Sequence, residues 1–113
     1  MNNSLGIIIV NFNSGKLLKN CIDSIFNSDI SKISLRVVIV DNNSKDDSLD
    51  IARKQDGQLK IIKNKQNKGF GKACNQGSEL LFDKDFLLIL NPDTIIEKQS
   101  LVQSLEFLIK NKN

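Results

Sequence analysis

Short apolar runs alternate along this chain with longer segments in which apolar residues recur at helical spacing. Each run is rich in Ile, Val and Leu, which is typical of a strand buried on both faces of a parallel sheet. These predicted strands cover residues 5–12, 35–40, 59–62 and 86–90. The helical spacing predicts helices over residues 14–27, 46–52, 72–82 and 100–110. Strict alternation of strands and helices predicts an α/β fold, a Rossmann-like, mostly parallel sheet with right-handed crossovers and helices on both faces.

Residues with short polar side chains stand where the predicted helices begin. We expect Asn13 or Ser14 to cap the first helix and Asn43 or Ser44 to cap the second, because these side chains accept hydrogen bonds from free backbone N–H groups. An Asp-Gly pair at residues 56–57 predicts a turn before the third strand. No repeat or low-complexity segment interrupts this plan, so the chain is expected to form one unit.

Composition narrows the possible functions of the chain. With 113 residues, of which 40% are hydrophobic and 26% charged, the chain has the size and composition of one globular domain. A net charge of +3 is mild, and the lysines that cluster at positions 60–68 fit a solvated face better than a nucleic-acid-binding patch. The chain contains no histidine, which excludes histidine catalysis and histidine metal ligation within it.

The two cysteines and the lengths of the apolar runs bear on redox state and location. Cys21 and Cys74 fit no zinc or redox spacing, and we expect two reduced, buried thiols in a cytoplasmic protein. No apolar run approaches the roughly 20 residues of a membrane span, and no signal peptide opens the chain. We therefore expect no membrane span.

Unusual polar residues follow three of the predicted strands directly. The first strand ends in Asn11-Phe12-Asn13, the second in Asp41-Asn42-Asn43-Ser44, and the fourth in Asn91-Pro92-Asp93-Thr94. Open α/β sheets bind ligands beyond the carboxyl ends of their strands, at the point where strand order reverses. If the first strand lies between the second and the fourth, all three tips meet at that point.

Each of these residues also has a purely structural interpretation. Asp41 and Asp93 can be capping or turn residues, because Asx side chains favour such positions. Phe12 can belong to the core. Gly69 and Gly71 can form a tight turn into the third helix, since glycine accepts dihedral angles that other residues avoid. They make neither a dinucleotide fingerprint, which needs a third glycine after the first strand, nor a Walker loop, because Ala73 stands where Ser or Thr is required.

The chemistry that joins these residues is nucleotide binding with a metal-bridged diphosphate. An aromatic ring offers a stacking surface to a base, and a carboxylate accepts the N3–H of a uracil or thymine ring. A second carboxylate can hold Mg²⁺ or Mn²⁺, hard ions that take oxygen ligands and often share phosphate oxygens. Neutralising a diphosphate leaving group is the main electrostatic task when a glycosyl bond to it breaks.

Four segments together give the chain a family resemblance. It resembles the N-terminal half of a family 2 glycosyltransferase of the GT-A fold, nearest the rhamnosyltransferase-like members. The segments occur in family order and spacing across nearly the whole chain. They cover residues 7–13, 40–44, 67–77 and 90–94.

The resemblance implies a role for each matching residue. Phe12, where the family often has Tyr, would lie against the base, and Asp41 would bond it. Asn75 would tie the third helix to the site, and Asp93 would bind Mg²⁺ or Mn²⁺. Asn91 replaces the first acid of the family's Asp-x-Asp element, so metal binding would rest chiefly on Asp93 and the diphosphate. The implied nucleotide-binding residues are Asn11, Phe12, Asn13, Asp41, Asn43, Gly69, Phe70, Gly71, Asn75 and Asn91.

The resemblance also implies what the chain does not contain. The family's catalytic domain continues beyond this point with the acceptor site and, in inverting members, a carboxylate general base. Asp83, Asp85 and Glu97 are interpreted as surface charges, so no catalytic residue is assigned. Residues 1–113 are therefore interpreted as the donor-binding half of a truncated GT-A domain.

Two functions of different classes, an enzyme and a binding module, remain open for this chain. The parent protein would transfer a sugar from a UDP- or dTDP-sugar to a saccharide or lipid-linked acceptor, in cell-surface polysaccharide synthesis at the inner face of the membrane. The alternative is a non-catalytic module that binds a nucleotide or a protein partner. We also expect self-association through the outer edge of the fourth strand or through the last helix, since an uncovered apolar edge favours pairing.

Overall fold

A single parallel sheet forms the centre of the computed structural model, which describes residues 3–52 and 59–111. Its strands are β1 (Asn3–Asn11), β2 (Ile33–Asp41), β3 (Leu59–Lys63) and β4 (Phe86–Leu90). The helices are α1 (Lys16–Phe26), α2 (Ser48–Ala52), α3 (Phe70–Glu79) and α4 (Ser100–Lys110). The predicted α/β alternation is confirmed, and the predicted turn at residues 56–57 lies outside the described residues.

The strands are arranged in the order β3-β2-β1-β4. Every neighbouring pair is parallel, with Asn11 opposite Asp41, Asp41 opposite Lys63, and Ile9 opposite Leu90. Strand order therefore reverses between β1 and β4, which fulfils the condition that the sequence analysis left open. This brings the carboxyl ends of β2, β1 and β4 to one edge of the sheet.

The two faces of the sheet bury different helices. On one face, Ile7, Ile9, Val37 and Ile39 pack against apolar residues of α1, α2 and α4 in the larger core cluster. On the other face, Ile8, Val38 and Val40 pack with Ala73 of α3 and with Leu81. Strands covered on both faces need unbroken apolar sequences, which explains why β1 and β2 show no polar alternation in their second halves.

Close packing of α3 on β1 depends on a glycine. A Cβ atom on Gly77 would lie 2.8 Å from Cγ2 of Ile8, closer than real contacts allow. Gly71, at the start of the same helix, would meet nothing within 4 Å. The second glycine of this helix therefore sets the distance between helix and sheet.

The predicted helix starts need correction. α1 begins after Gly15 with no capping side chain, and α2 begins at Ser48, beyond Asn43 and Ser44. The reason is that the Asn13 N–H donates to Ser44 Oγ at 2.9 Å, so these two loops bind each other instead of capping their helices. The third helix begins at Phe70 and ends at Glu79, earlier at both ends than the predicted residues 72–82.

The thiols and the helix lengths answer two further expectations. Cys21 is buried and Cys74 is half-buried, so the expectation of a buried thiol holds for Cys21 alone, and both cysteines are free. Among the helices of residues 3–52 and 59–111, none is long and apolar enough to cross a membrane.

Candidate functional site

A buried polar cluster joins the tips of β1 and β2. The Asn11 Nδ2 donates to Asp41 Oδ1 at 2.9 Å, to Ser48 Oγ at 2.9 Å and to Ser44 Oγ at 3.2 Å. Asp41 also accepts the Ser44 hydroxyl at 2.7 Å and the Ser44 backbone N–H at 3.0 Å. Asn11 and Asp41 are both fully buried. The protein therefore satisfies the Asp41 carboxylate with its own donors and fixes the loop that follows β2.

One atom of this cluster has no partner. The Asn11 Oδ1 is buried and makes no hydrogen bond to any residue that the structure describes. Its orientation is set, because the Nδ2 of the same amide must face the Asp41 carboxylate. A buried acceptor without a donor costs free energy, and such groups need a specific explanation. The atom lies at the carboxyl edge of the sheet, where open α/β sheets bind their ligands.

The loops after β1 and β2 hold each other in place. The Asn13 Oδ1 accepts the Lys45 N–H at 2.7 Å, and Asp46 Oδ2 accepts the Gly15 N–H at 2.9 Å. Asn13 and Asn43 have positive φ angles of 50° and 67°, in the left-handed region that few residues other than glycine and asparagine adopt. Residues in such conformations tend to cluster at functional sites. Both asparagines thus have a backbone role that the sequence did not reveal.

The Asp46 carboxylate accepts hydrogen bonds from both loops. The Ser48 hydroxyl donates to it at 2.6 Å, and this bond, with the backbone N–H groups of Ser48 and Gly15, lowers the pKa of the Asp46 carboxyl below its ordinary value of 3.8. The carboxylate form is therefore the one that the folded loop prefers.

The ring of Phe12 is exposed instead of buried. It follows the last residue of β1 and is 49% exposed, so it does not belong to the core. Phe70, the first residue of α3, is 54% exposed. A large apolar side chain left in water at a strand tip is available to a ligand, which removes the structural interpretation of Phe12.

The turn before α3 is held by side-chain amides that the sequence analysis missed. Gly69 has φ 83° and leads into the helix. The Asn42 Nδ2 donates to the Gly69 carbonyl at 3.2 Å, and the Asn42 Oδ1 accepts the Lys68 N–H at 3.3 Å. The Asn42 Oδ1 also accepts the Nδ2 of Asn64 at 3.0 Å, and Asn64 is paired with Gln76. Asn42 and Asn64 directly follow β2 and β3, so their position at strand ends was the available signal.

The sequence analysis assigned to Asn75 the contact between α3 and the strand tips, but Gln76 makes it. Gln76 makes the hydrogen bonds to Asn64 that join α3 to the tip of β3. Asn75 itself is exposed. The side chain of Asn75 thus points away from the buried contact, and its predicted role in nucleotide binding stays a prediction.

The tip of β4 is open, unlike the tips of β1 and β2. Asn91 and Asp93 are exposed, and the Thr94 N–H donates to the Asn91 carbonyl at 3.0 Å in a tight turn. Burial, and then the negative charge of Asp93, raise the pKa of the Cys21 thiol to about 11. That thiol also lies 3.9 Å from the Asn91 carbonyl oxygen. The turn that contains Asp93 therefore lies against α1, and it follows β4 at the same edge of the sheet as Asp41.

The oxygen donors at the tip of β4 suit a metal ion that is bound jointly by the protein and a ligand. Within residues 3–52 and 59–111, no three His, Cys, Asp or Glu side chains come together as a metal cluster. Asp93 and Asn91 supply oxygen donors, the type that Mg²⁺ and Mn²⁺ prefer. Two such residues are too few for a protein cage, and they fit an ion that takes its remaining ligands from phosphate and water.

The other acidic residues named in the sequence do not join this edge. The Asp85 Oδ2 accepts the Ser4 N–H at 2.9 Å, and the Ser4 hydroxyl oxygen accepts the Asp85 N–H at 2.8 Å, at the opposite end of β1. Asp83 and Glu97 are exposed. Asp85 is thus a structural residue and not simply a surface charge.

Comparisons with known proteins agree with this geometry. The family model described as "Glycosyl transferase family 2" matches residues 6–113. The poly(ribitol-phosphate) beta-glucosyltransferase of Bacillus spizizenii is 26% identical over 112 residues, which are 96% of this chain and 18% of that protein. The chain thus spans about a fifth of that relative's length.

Solved structures share the fold. S. aureus TarS 1-349, in complex with UDP-GlcNAc, superposes with a TM-score of 0.85 at 27% identity, over 95% of this chain and 31% of that one. The mannosyltransferase PcManGT of Pyrobaculum calidifontis, in complex with GDP-Man and Mn²⁺, gives a TM-score of 0.83 at 21% identity, over 96% of this chain and 33% of that one. With a GT-A-like sheet and a family model that matches nearly all its residues, the chain belongs to glycosyl transferase family 2.

Proposed function

We propose that this chain forms the donor site of a glycosyltransferase and binds the nucleotide part of a UDP- or dTDP-sugar. The observation that carries the proposal is that Phe12, Asp41 and Asp93 stand at or just after the carboxyl ends of β1, β2 and β4, on the edge where strand order reverses. This is the position at which open α/β sheets bind their ligands. The similarity to a glycosyltransferase structure that holds UDP-GlcNAc supports the same assignment.

The base is assigned to the β1–β2 side. The exposed Phe12 ring offers it a stacking surface, and base–aromatic stacking is worth roughly 1–3 kcal/mol. Asp41 would accept the imide N–H of a uracil or thymine ring. Because this carboxylate is fully buried and bonded to Ser44, the contact requires Ser44 to move. The Ser44 hydroxyl, which now donates to Asp41, would give up that bond to the base.

The diphosphate is assigned to the β4 side. Asp93 and Asn91 would hold Mg²⁺ or Mn²⁺ together with the phosphate oxygens. When bound, the ion would neutralise negative charge on the departing diphosphate. Gly69, Phe70 and Gly71 would lie along the nucleotide from the start of α3, on the side of the edge formed by the tips of β2 and β3.

Transfer of the sugar needs more than these residues. We infer that the parent protein acts in cell-surface polysaccharide synthesis, in the cytoplasm at the inner face of the membrane, on a saccharide or lipid-linked acceptor. Activation of an acceptor hydroxyl needs a general base. None is assigned in this chain, so we expect the isolated chain to bind a donor without transferring or hydrolysing it.

A thermal-shift screen tests the ligand class. UDP and dTDP should stabilise the protein more than GDP, CDP or NAD, with and without Mn²⁺, since Asp41 matches a pyrimidine imide. At a hundredfold excess over the dissociation constant, the gain is about 2.7 kcal/mol. Stabilisation by NAD and not by the pyrimidine diphosphates would contradict the proposal.

A second candidate function is protein association through the β4 edge. Leu87 and Ile89 are each 48% exposed, and β4 pairs with β1 on one side only. An apolar groove of about 210 Å³ also runs between β4 and α4, lined in part by Leu88 and Leu105. An uncovered apolar edge of this kind favours pairing. Light scattering tests it: we expect self-association, and a monomer at high concentration would refute the edge argument.

A further inference from the structure

A chain of three side-chain amides connects β2, β3 and α3 beneath the Gly69 turn. Asn64 and Gln76 exchange two hydrogen bonds, Asn64 Nδ2 to Gln76 Oε1 at 2.8 Å and Gln76 Nε2 to Asn64 Oδ1 at 2.9 Å. The Asn64 Nδ2 also donates to Asn42 Oδ1 at 3.0 Å. Asn42 is 2% exposed and Asn64 is 6% exposed, so this network lies largely out of water.

The free end of this network holds the turn. Through its own amide, Asn42 accepts the Lys68 N–H and donates to the Gly69 carbonyl. It thus bonds both ends of the Lys68–Gly69 dipeptide. The Gly69 carbonyl also accepts the Ala73 N–H, the first helical bond of α3. The orientation of Asn42 is in turn fixed by Asn64, whose backbone N–H is bonded to the Asp41 carbonyl at 2.9 Å. The position of the helix start is therefore set by amides that lie below it.

We propose that Asn42, Asn64 and Gln76 act as positioning residues that hold the Gly69 turn in the conformation that binds the nucleotide. The inference rests on the proposed donor site, since it assigns the Gly69 turn to that site. The amides themselves are largely buried, so they act through the turn and not by touching the ligand. Buried polar groups that are fully paired specify one geometry, and loss of one partner leaves the others unsatisfied.

The test combines amide hydrogen exchange with titration of UDP. Asn64→Leu keeps the approximate shape of the side chain and removes the link between Gln76 and Asn42. We expect the Lys68 amide to exchange roughly fivefold faster, and the dissociation constant for UDP to rise roughly fivefold to tenfold, as loss of about one hydrogen bond predicts. Core amides such as those of Ile8 and Ile39 should keep their protection, which separates a positioning role from global destabilisation.

A second variant and a control complete the test. Gln76→Met removes the other end of the Asn64–Gln76 pair at a half-buried helix position and should move both readouts in the same direction. Gln103→Leu replaces an exposed amide on α4 and should move neither. An unchanged Lys68 exchange rate in both network variants would overturn the proposal, as would an unchanged dissociation constant for UDP. Wild-type protein that binds no UDP would instead refute the proposed donor site and, with it, this role of the amides.

Discussion

The two sides of the polar edge differ in how far the protein satisfies its own polar groups. At the tips of β1 and β2, Asn11 and Asp41 are fully buried and bonded to each other and to neighbouring serines. At the tip of β4, Asn91 and Asp93 are exposed. The first side is organised by the protein's own hydrogen bonds, whereas the second exposes its oxygen atoms to water, ions and ligands. Under the proposed function, a base would reach Asp41 only by replacing the Ser44–Asp41 hydrogen bond, which favours a specific ligand, and the exposed β4 tip would take a charged, variable group such as a diphosphate–metal unit.

The largest expected effect is a difference in the free energy of unfolding between a variant at the β1–β2 tips and a variant at the β4 tip. Asn11→Leu should lower the free energy of unfolding by roughly 3 kcal/mol, because it removes one donor each from the buried Asp41 carboxylate and from the Ser44 and Ser48 hydroxyl oxygens. Asn91→Leu, at the exposed tip of β4, should change it by less than about 0.5 kcal/mol. Urea unfolding of both variants measures this difference. Equal losses would show that the β1–β2 cluster is not specially organised.

The second prediction concerns affinity on the base side. Phe12→Ala should weaken binding of UDP by roughly 1–3 kcal/mol if the ring stacks on the base. Stability should change little, because the ring is 49% exposed. Phe82→Ala is the control, since that ring is 86% exposed and lies near the opposite end of the sheet. Calorimetric isotherms that are unchanged by Phe12→Ala would remove this residue from the site.

Mn²⁺ should change ligand affinity only through the exposed tip of β4. Asp93→Ala should abolish the gain in UDP affinity that Mn²⁺ provides and leave uridine binding unaffected, because the ion bridges carboxylate and phosphate. Asn91→Ala should have the smaller effect, because the Asn91 side chain is an uncharged ligand. Titration of UDP and uridine, each with and without Mn²⁺, distinguishes these results. A full metal effect in Asp93→Ala would place the ion elsewhere.

The smallest effect concerns acid stability of the organised side. The pKa of Asp46 is lower in the folded protein than its ordinary value of 3.8, so the carboxylate stabilises the fold above that pH. This contribution is lost as the pH falls through the folded-state pKa. Asp46→Asn should therefore flatten the fall in melting temperature at acid pH. Asp47→Asn, at the exposed neighbouring position, is the control, and an equal flattening there would contradict the assignment.

The sequence predicted the fold, which the structure confirms, and it predicted a candidate site at the carboxyl edge of the sheet, because both predictions depend on patterns that are local in the chain. Apolar runs such as Phe86–Leu90 mark strands buried on both faces, and the polar residues that follow them mark the carboxyl edge. Chain order alone did not fix the neighbours of β1, so the meeting of Asp41 with the β4 tip was conditional until the structure showed strand order β3-β2-β1-β4.

What the sequence did not predict depends on contacts between distant residues. Ser44 was expected to cap a helix, but it bonds Asn11 and Asn13, which lie more than 30 residues away. Asn64 was given no role, because its partner Gln76 becomes visible only when α3 packs on the sheet. Short polar side chains satisfy many local motifs, so their pattern in the sequence does not decide which tertiary contact they make.

Chemical-shift mapping with UDP in the presence of Mn²⁺ tests the central claim most directly, because it reports where the ligand binds. We expect the perturbed backbone amides to fall at Phe12, at residues 41–44, at residues 69–71 and at residues 91–94, on the single edge where strand order reverses. Residues at the amino end of the sheet, such as Ser4 and Asp85, should be unperturbed. Perturbations centred on the groove between β4 and α4, or no perturbation at saturating UDP, would contradict the assignment of this edge as a nucleotide site.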